Sequence, residues 1–168
     1  MSEEIVQQIA GVNEDLFKLL DSFDDSELNM VPYPDSWTPG QVADHLTKSD
    51  RLLFGLLSGP TRSTSRAPDA NIQMLSDTFL NFETKMKSPE VIIPDQKVFT
   101  KTEVLDEIRS IRSEIVSIAG KNDLSKTTTL SSPLGESTLL EILHFHSYHT
   151  QRHIHQLEKM RSAMGNKN

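Results

Sequence analysis

Residues 137–164 read STLLEILHFHSYHTQRHIHQLEKMRSAM. Leu139, Ile142, His146, His149, His153, Leu157, Met160 and Met164 recur at intervals of three or four, the period of one face of an α-helix. The stretch is therefore predicted to form one long C-terminal helix, with three histidines in the middle of its buried face. Burying a polar nitrogen without a partner costs on the order of 1–3 kcal/mol, so such a cluster needs a reason, and a metal ion supplies one. His149 and His153 stand four apart, so their rings rise from the same side about one turn from each other. His144 and His155 point to other faces and read as ordinary, partly exposed residues.

Working outward, the sixth histidine is His45. It follows Val42 by three and precedes Leu53 by eight, which puts it on the inner side of a helix predicted over residues 39–57, with Val42, Leu46, Leu53 and Leu57 as its apolar rows. Before that helix, MVPYPDSWTPG carries three prolines and must be a connection. Ser36 or Thr38 can cap the helix, Pro39 suits its first turn, and Trp37 beside it is expected to anchor in the core.

Three further helices are predicted. Ile5, Ile9, Val12, Leu16 and Leu20 mark one over residues 2–22. Ile72, Leu75, Phe79, Phe82 and Met86 mark another over residues 71–87, its aromatics read as core. Val104, Ile108, Ile111, Ile115 and Ile118 mark a third, capped by Thr100 or Thr102 and stopped at Gly120. SGPTRSTSRAPDA (residues 58–70) reads as a solvated loop whose Arg62 and Arg66 could alternatively greet an anionic substrate, and SPEVIIPDQKVFT as an extended crossover. Four or five helices with separate apolar faces bury them most simply as an antiparallel bundle, and no long alternating segment calls for a substantial sheet. The expectation is an all-α, four-helix bundle with an additional short helix or long crossover, one domain over residues 1–168.

Composition removes several classes of function. With no cysteine, the chain can form neither a disulfide scaffold nor a thiolate zinc site, and it has no cysteine nucleophile. Seventeen Lys and Arg against 24 Asp and Glu give a formal net charge of −7, the wrong sign for a general phosphate-backbone binder, so no nucleic-acid partner is expected. The opening MSEEIVQQIAGVNED lacks a basic segment leading into an apolar run, and no stretch approaches a membrane span, so the cytoplasm is the expected compartment.

If His45 approaches His149 and His153, three neutral nitrogens can hold one divalent ion and leave a position for water or substrate. Zinc and nickel both suit imidazole. His146, one turn from His149, is the candidate general base, with Asp44 and Tyr148 weaker candidates. The zinc-protease signature HExxH is absent, since Thr150 stands where that motif has Glu.

Two segments carry a family resemblance that spans almost the whole chain. They are Trp37-Thr38-Pro39-Gly40-Gln41-Val42-Ala43-Asp44-His45-Leu46 and His149-Thr150-Gln151-Arg152-His153-Ile154-His155-Gln156-Leu157, with Pro133-Leu134-Gly135 leading into the last helix. The pattern resembles the DinB/YfiT-like superfamily of metal-dependent enzymes. The resemblance implies an up-down-down-up four-helix bundle, often dimeric, with His45, His149 and His153 as metal ligands and Gln156 in a packing or ligand-supporting role. His155 departs from the Gly that many relatives carry there. The implied activities are hydrolysis, as in amidases, isomerisation of thiol conjugates, or S-transfer with a low-molecular-weight thiol such as bacillithiol or mycothiol, on a small-molecule substrate. The rival expectation is a non-catalytic helical bundle that binds metal or a protein partner.

Overall fold

The computed structural model describes residues 2–165. Its elements are α1 (Ser2–Asp21), α2 (Asp25–Leu28), α3 (Pro39–Ser58), β1 (Thr61–Arg62), α4 (Ile72–Phe79), a 3₁₀ turn at Glu90–Ile92, α5 (Lys101–Ala119), β2 (Thr127–Thr128) and α6 (Leu139–Gly165). Helices α1, α3, α5 and α6 form the bundle, each packing mainly against two of the others. Their directions follow from who meets whom. Gln8 reaches Ser147 and Arg161 reaches the Ser22 carbonyl, so α1 and α6 run parallel. Asp50 meets Arg112 and the Leu57 carbonyl meets Asn122 just beyond α5, so α3 and α5 run parallel. Asn13 on Arg112 with Asp21 on Lys101, and His45 on His149 with Asp50 on His146, set the first pair against the second. The path is thus up, down, down, up. Parallel α3 and α5 oblige the chain to return the full length of the bundle between them, and residues 59–100, including α4, make that journey.

Local chemistry starts the helices where the site needs them. Thr38 caps α3 by accepting from the Gln41 amide at 3.2 Å while Gln41 returns a bond to the Thr38 amide at 3.0 Å, an arrangement worth about 1 kcal/mol. Pro39 occupies the first turn. A Cβ at Gly40 would stand 2.7 Å from the Phe99 ring and 2.8 Å from the Leu28 carbonyl oxygen, so only glycine lets α3 lie this close to its neighbours. At the head of α6, Thr138 and Glu141 form the same reciprocal pair. Glu141 is fully buried and also accepts two bonds from Arg66 and one from the Asn71 amide. Arg66 is therefore a structural strut, and Arg62 pairs with Glu136. The loop holding them is tied down rather than merely solvated: Thr61 stands opposite Thr128 and Arg62 opposite Thr127 in a two-stranded ribbon.

The apolar core is in two parts. Leu16, Leu20, Phe23, Val42, Leu46, Ile108 and Leu157 belong to one; Ile5, Ile9, Leu53, Leu57, Ile111, Ile115 and Leu143 belong to the other. Between them lies a polar layer to which each bundle helix gives one residue: Asn13, Asp50, Arg112 and His146, all buried. Asn13 takes the inner row of α1 that the sequence pattern assigns to Val12, and Val12 is only partly buried.

Helix α4 is shorter than its apolar period predicts. It stops at Phe79, and in the segment that follows Arg152 of α6 takes up the carbonyls of Phe79, Asn81 and Thr84. Phe82 and Met86 lie outside the helix and are exposed, contrary to the reading of both as helical and of Phe82 as core. The connection before α3 also holds one helical turn, α2, boxed by Asp24 and Glu27.

Glu27 carries a pH signature. Arg161 donates to both its oxygens, and together with the Asp24 amide this outweighs burial and holds its pKa at about 2, against 4.5 for the free side chain. A depressed carboxylate pKa stabilises the fold fully above pH 4.5, and the contribution is lost as pH falls toward 2. Glu27→Gln should therefore melt below wild type at neutral pH, with the two melting curves converging across that acid window.

Candidate metal centre

The bundle brings the predicted ligands together. His45 Nε2 lies 3.2 Å from His149 Nε2, which lies 3.1 Å from His153 Nε2. Among the described residues these three form a group whose ligand atoms all fall within 4.8 Å of one another. They are 3 %, 7 % and 8 % exposed.

The outer nitrogens decide what the inner ones can do. His45 Nδ1 lies 2.8 Å from the Ile92 carbonyl oxygen, which can only accept, so Nδ1 carries the hydrogen and Nε2 is a bare lone pair. His153 Nδ1 lies 2.8 Å from Gln156 Oε1 and is fixed in the same way. His149 can offer a hydrogen to one of these lone pairs, never to both. At least one close pair of Nε2 atoms thus meets lone pair to lone pair unless a cation sits among them. Nitrogens about 2.0–2.1 Å from a tetrahedral ion stand about 3.3–3.4 Å apart, close to what is seen, so the residues fit a divalent transition ion. Burial, reinforced by the neighbouring imidazoles, pushes His149 well below the ordinary histidine value and His153 to about 3. Burial lowers His45 as well. All three are neutral at pH 7, the form that binds metal.

The walls are aromatic. The Trp37 ring lies 5.0 Å from His45, Phe145 stacks on His149 at 5.2 Å, and Phe79 stands edge-on to Phe145 at 4.8 Å. Trp37 is half-buried against the core, as expected of an anchor. Nearby cations are engaged elsewhere: Lys48 with Asp44 and Asp95, Arg152 with backbone carbonyls.

With this geometry in hand, comparison with known proteins is direct. The DinB superfamily matches residues 8–157. The chain belongs to that superfamily. The uncharacterized protein YuaE of Bacillus subtilis (strain 168) is 24% identical over 151 residues, 86% of this chain and 90% of YuaE. TT2238, a four-helix bundle protein, superposes with a TM-score of 0.61 at 20% identity, covering 95% of this chain and 99% of its own. YfiT from Bacillus subtilis, described as a probable metal-dependent hydrolase with an unusual four-helix bundle topology, also gives 0.61, at 16% identity over 98% of this chain and 87% of YfiT. These structural likenesses establish the fold of this DinB-superfamily member. No helix among its described residues is long and apolar enough to cross a membrane.

His146 lies apart from the three converging histidines, one turn N-terminal on α6. Its Nε2 is 3.2 Å from Asp50 Oδ1, and Asp50 Oδ2 is 2.8 Å from Arg112 Nε, both contacts too oblique for good hydrogen bonds. Arg112 also donates to Asn13 at 2.6 Å. Burial raises the Asp50 pKa, but Arg112 and His146 outweigh it, so Asp50 stays ionised; burial keeps His146 neutral despite Asp50. His146 Nδ1 has no protein partner. Asp44 is occupied, accepting from the Asp95 amide at 2.8 Å. Tyr148 is weakly placed as an acid, since burial raises its pKa.

Neither Asp50 nor Arg112 was picked out by motif or period. Their position was nonetheless readable: Asp50 is four after Leu46 and three before Leu53, and Arg112 is four after Ile108, so both fall on inner rows.

Proposed function

We propose that this chain is a metal-dependent enzyme in which His45, His149 and His153 hold one divalent transition ion, zinc or nickel, for hydrolysis of a small substrate, with transfer of a small thiol as the related possibility. The observation that carries the reading is the convergence of three Nε2 atoms, two of them fixed as lone pairs by hydrogen bonds from their own Nδ1. When bound, such an ion supplies Lewis acidity that makes water or a thiol nucleophilic near neutral pH.

The chain's own residues do the rest. Trp37, Phe79 and Phe145 exclude bulk water and favour an apolar substrate group. Such walls, with the nearby cations already paired, favour hydrolysis over recognition of an acidic thiol cofactor. His146, neutral and with a free Nδ1, is the proposed proton acceptor, oriented by Asp50 in the manner of a base and its orienting carboxylate. A homodimer in the cytoplasm completes the proposal.

Near-complete burial of the ligands favours a second reading, a non-catalytic metal site. Titration of the tag-free, metal-stripped protein with nickel separates ion binding from no binding, because Trp37, the chain's single tryptophan, stands beside a ligand and should be quenched with one ion bound per chain. Unchanged fluorescence together with no retained nickel or zinc after dialysis sinks the metal reading. Turnover of a panel of small amides by the loaded protein, absent in His146→Ala, then distinguishes the enzyme from the inert site.

A further inference from the structure

After α4 the chain crosses from one ligand-bearing helix to the other. At its start, Phe82 stacks on His155 of α6 at 4.4 Å, and Arg152 of α6 donates to the carbonyls of Phe79, Asn81 and Thr84. At its end, the Ile92 carbonyl accepts from His45 of α3, and the Ile93 carbonyl accepts from Lys48 at 2.9 Å. Ser88 Oγ, in between, lies 3.4 Å from His45 Nδ1. Residues 80–93 therefore strap across the three histidines.

This strap is built differently from the helices that carry the ligands. One 3₁₀ turn is its regular structure, residues 81–87 are exposed, and side chains of other elements supply most of its anchorage. Segments with exposed backbone and few buried apolar contacts open locally at a fraction of the cost of global unfolding. Arg152 sits between His149 and His153 in sequence, so the fastening begins on the helix that carries two ligands. The His45–Ile92 bond gives the strap a direct hand in the site, because it fixes which nitrogen of His45 faces inward.

We propose that residues 80–93 are a lid over the three-histidine centre, latched by Arg152, and that ions and small ligands enter and leave only when it lifts. This rests on the metal-binding reading above and resolves its difficulty, since ligands that are 3–8 % exposed can still serve a catalytic site if their cover moves.

The test uses zinc-loaded full chain challenged with excess chromogenic chelator. Arg152→Ala should release zinc faster by about ten-fold, the scale of one lost charge-assisted hydrogen bond. Uptake should accelerate as well, so the equilibrium affinity changes far less than the rates. A cysteine-free chain also allows the converse: in the F82C/H155C double variant, oxidation should slow release by a similar factor and reduction should restore it. Equal release rates in the oxidised and reduced forms, or an Arg152→Ala release rate matched by an equal loss of affinity, overturn the lid while leaving the metal site standing. A wild-type chain that takes up no zinc overturns both.

Discussion

His149→Ala should abolish tight binding of nickel or zinc while the helices persist. His149 is the middle member of the cluster, within 3.2 Å of both partners, so its loss leaves two nitrogens that no longer enclose a common point. The penalty should exceed the roughly 10–100-fold that follows loss of a hydrogen-bonded partner outside the ligand set. Thermal melting gives the sharpest comparison. An ion at about 1,000 times its Kd stabilises the native state by about 4 kcal/mol, so wild type should melt several degrees higher with metal than without it, whereas the variant should show no metal-dependent shift. Comparing each protein with itself removes the separate cost of the cavity left by the ring. A variant that keeps the full shift would show that the ion binds elsewhere.

Arg112→Met should be the most destabilising single change in the bundle interior. It leaves the Asp50 carboxylate buried, 1 % exposed, with its principal countercharge gone, a situation that costs about 3–5 kcal/mol. Against a total stability of roughly 5–15 kcal/mol for a domain, that shift is large in urea unfolding. Asp50→Asn should likewise be costly, because it strands the guanidinium. The double variant should lose much less than the sum of the two, since no charge is then left unpaired, and the cycle measures their coupling directly. Additive losses would mean that the two side chains do not act as a pair.

The sequence made the three-histidine cluster legible because helical spacing is a local property. His149 and His153 face one way by arithmetic, and His45 is the one histidine outside the last helix that could meet them. The bundle helices were readable for the same reason, and with them the caps Thr38 and Thr100, each offered beside one alternative. What could not be read depended on distant partners. Helix α4 keeps its apolar period through Met86, yet it ends at Phe79, where an arginine seventy-three residues away reaches its last carbonyl. Arg66 carried no local mark that it would grip a buried Glu141. The polar layer fell between these cases: its members occupy inner rows, but an apolar count passes over them and credits Val12 where Asn13 does the work.

That layer has one more effect, on how many ways the bundle can be assembled. Leucine against leucine is nearly indifferent to a slide of one helical turn, and two apolar halves alone would accept several alignments of four helices. Asn13, Asp50, Arg112 and His146 come from four different helices and meet one another at a single level. Sliding any helix by a turn would seat a polar or charged group among hydrocarbon and take it from its partner, so the mid-height polar groups act as an alignment pin. The same pin holds α3 and α6 at the one offset where His45 faces His149 and His153, and the three-histidine cluster inherits its precision from a layer outside it.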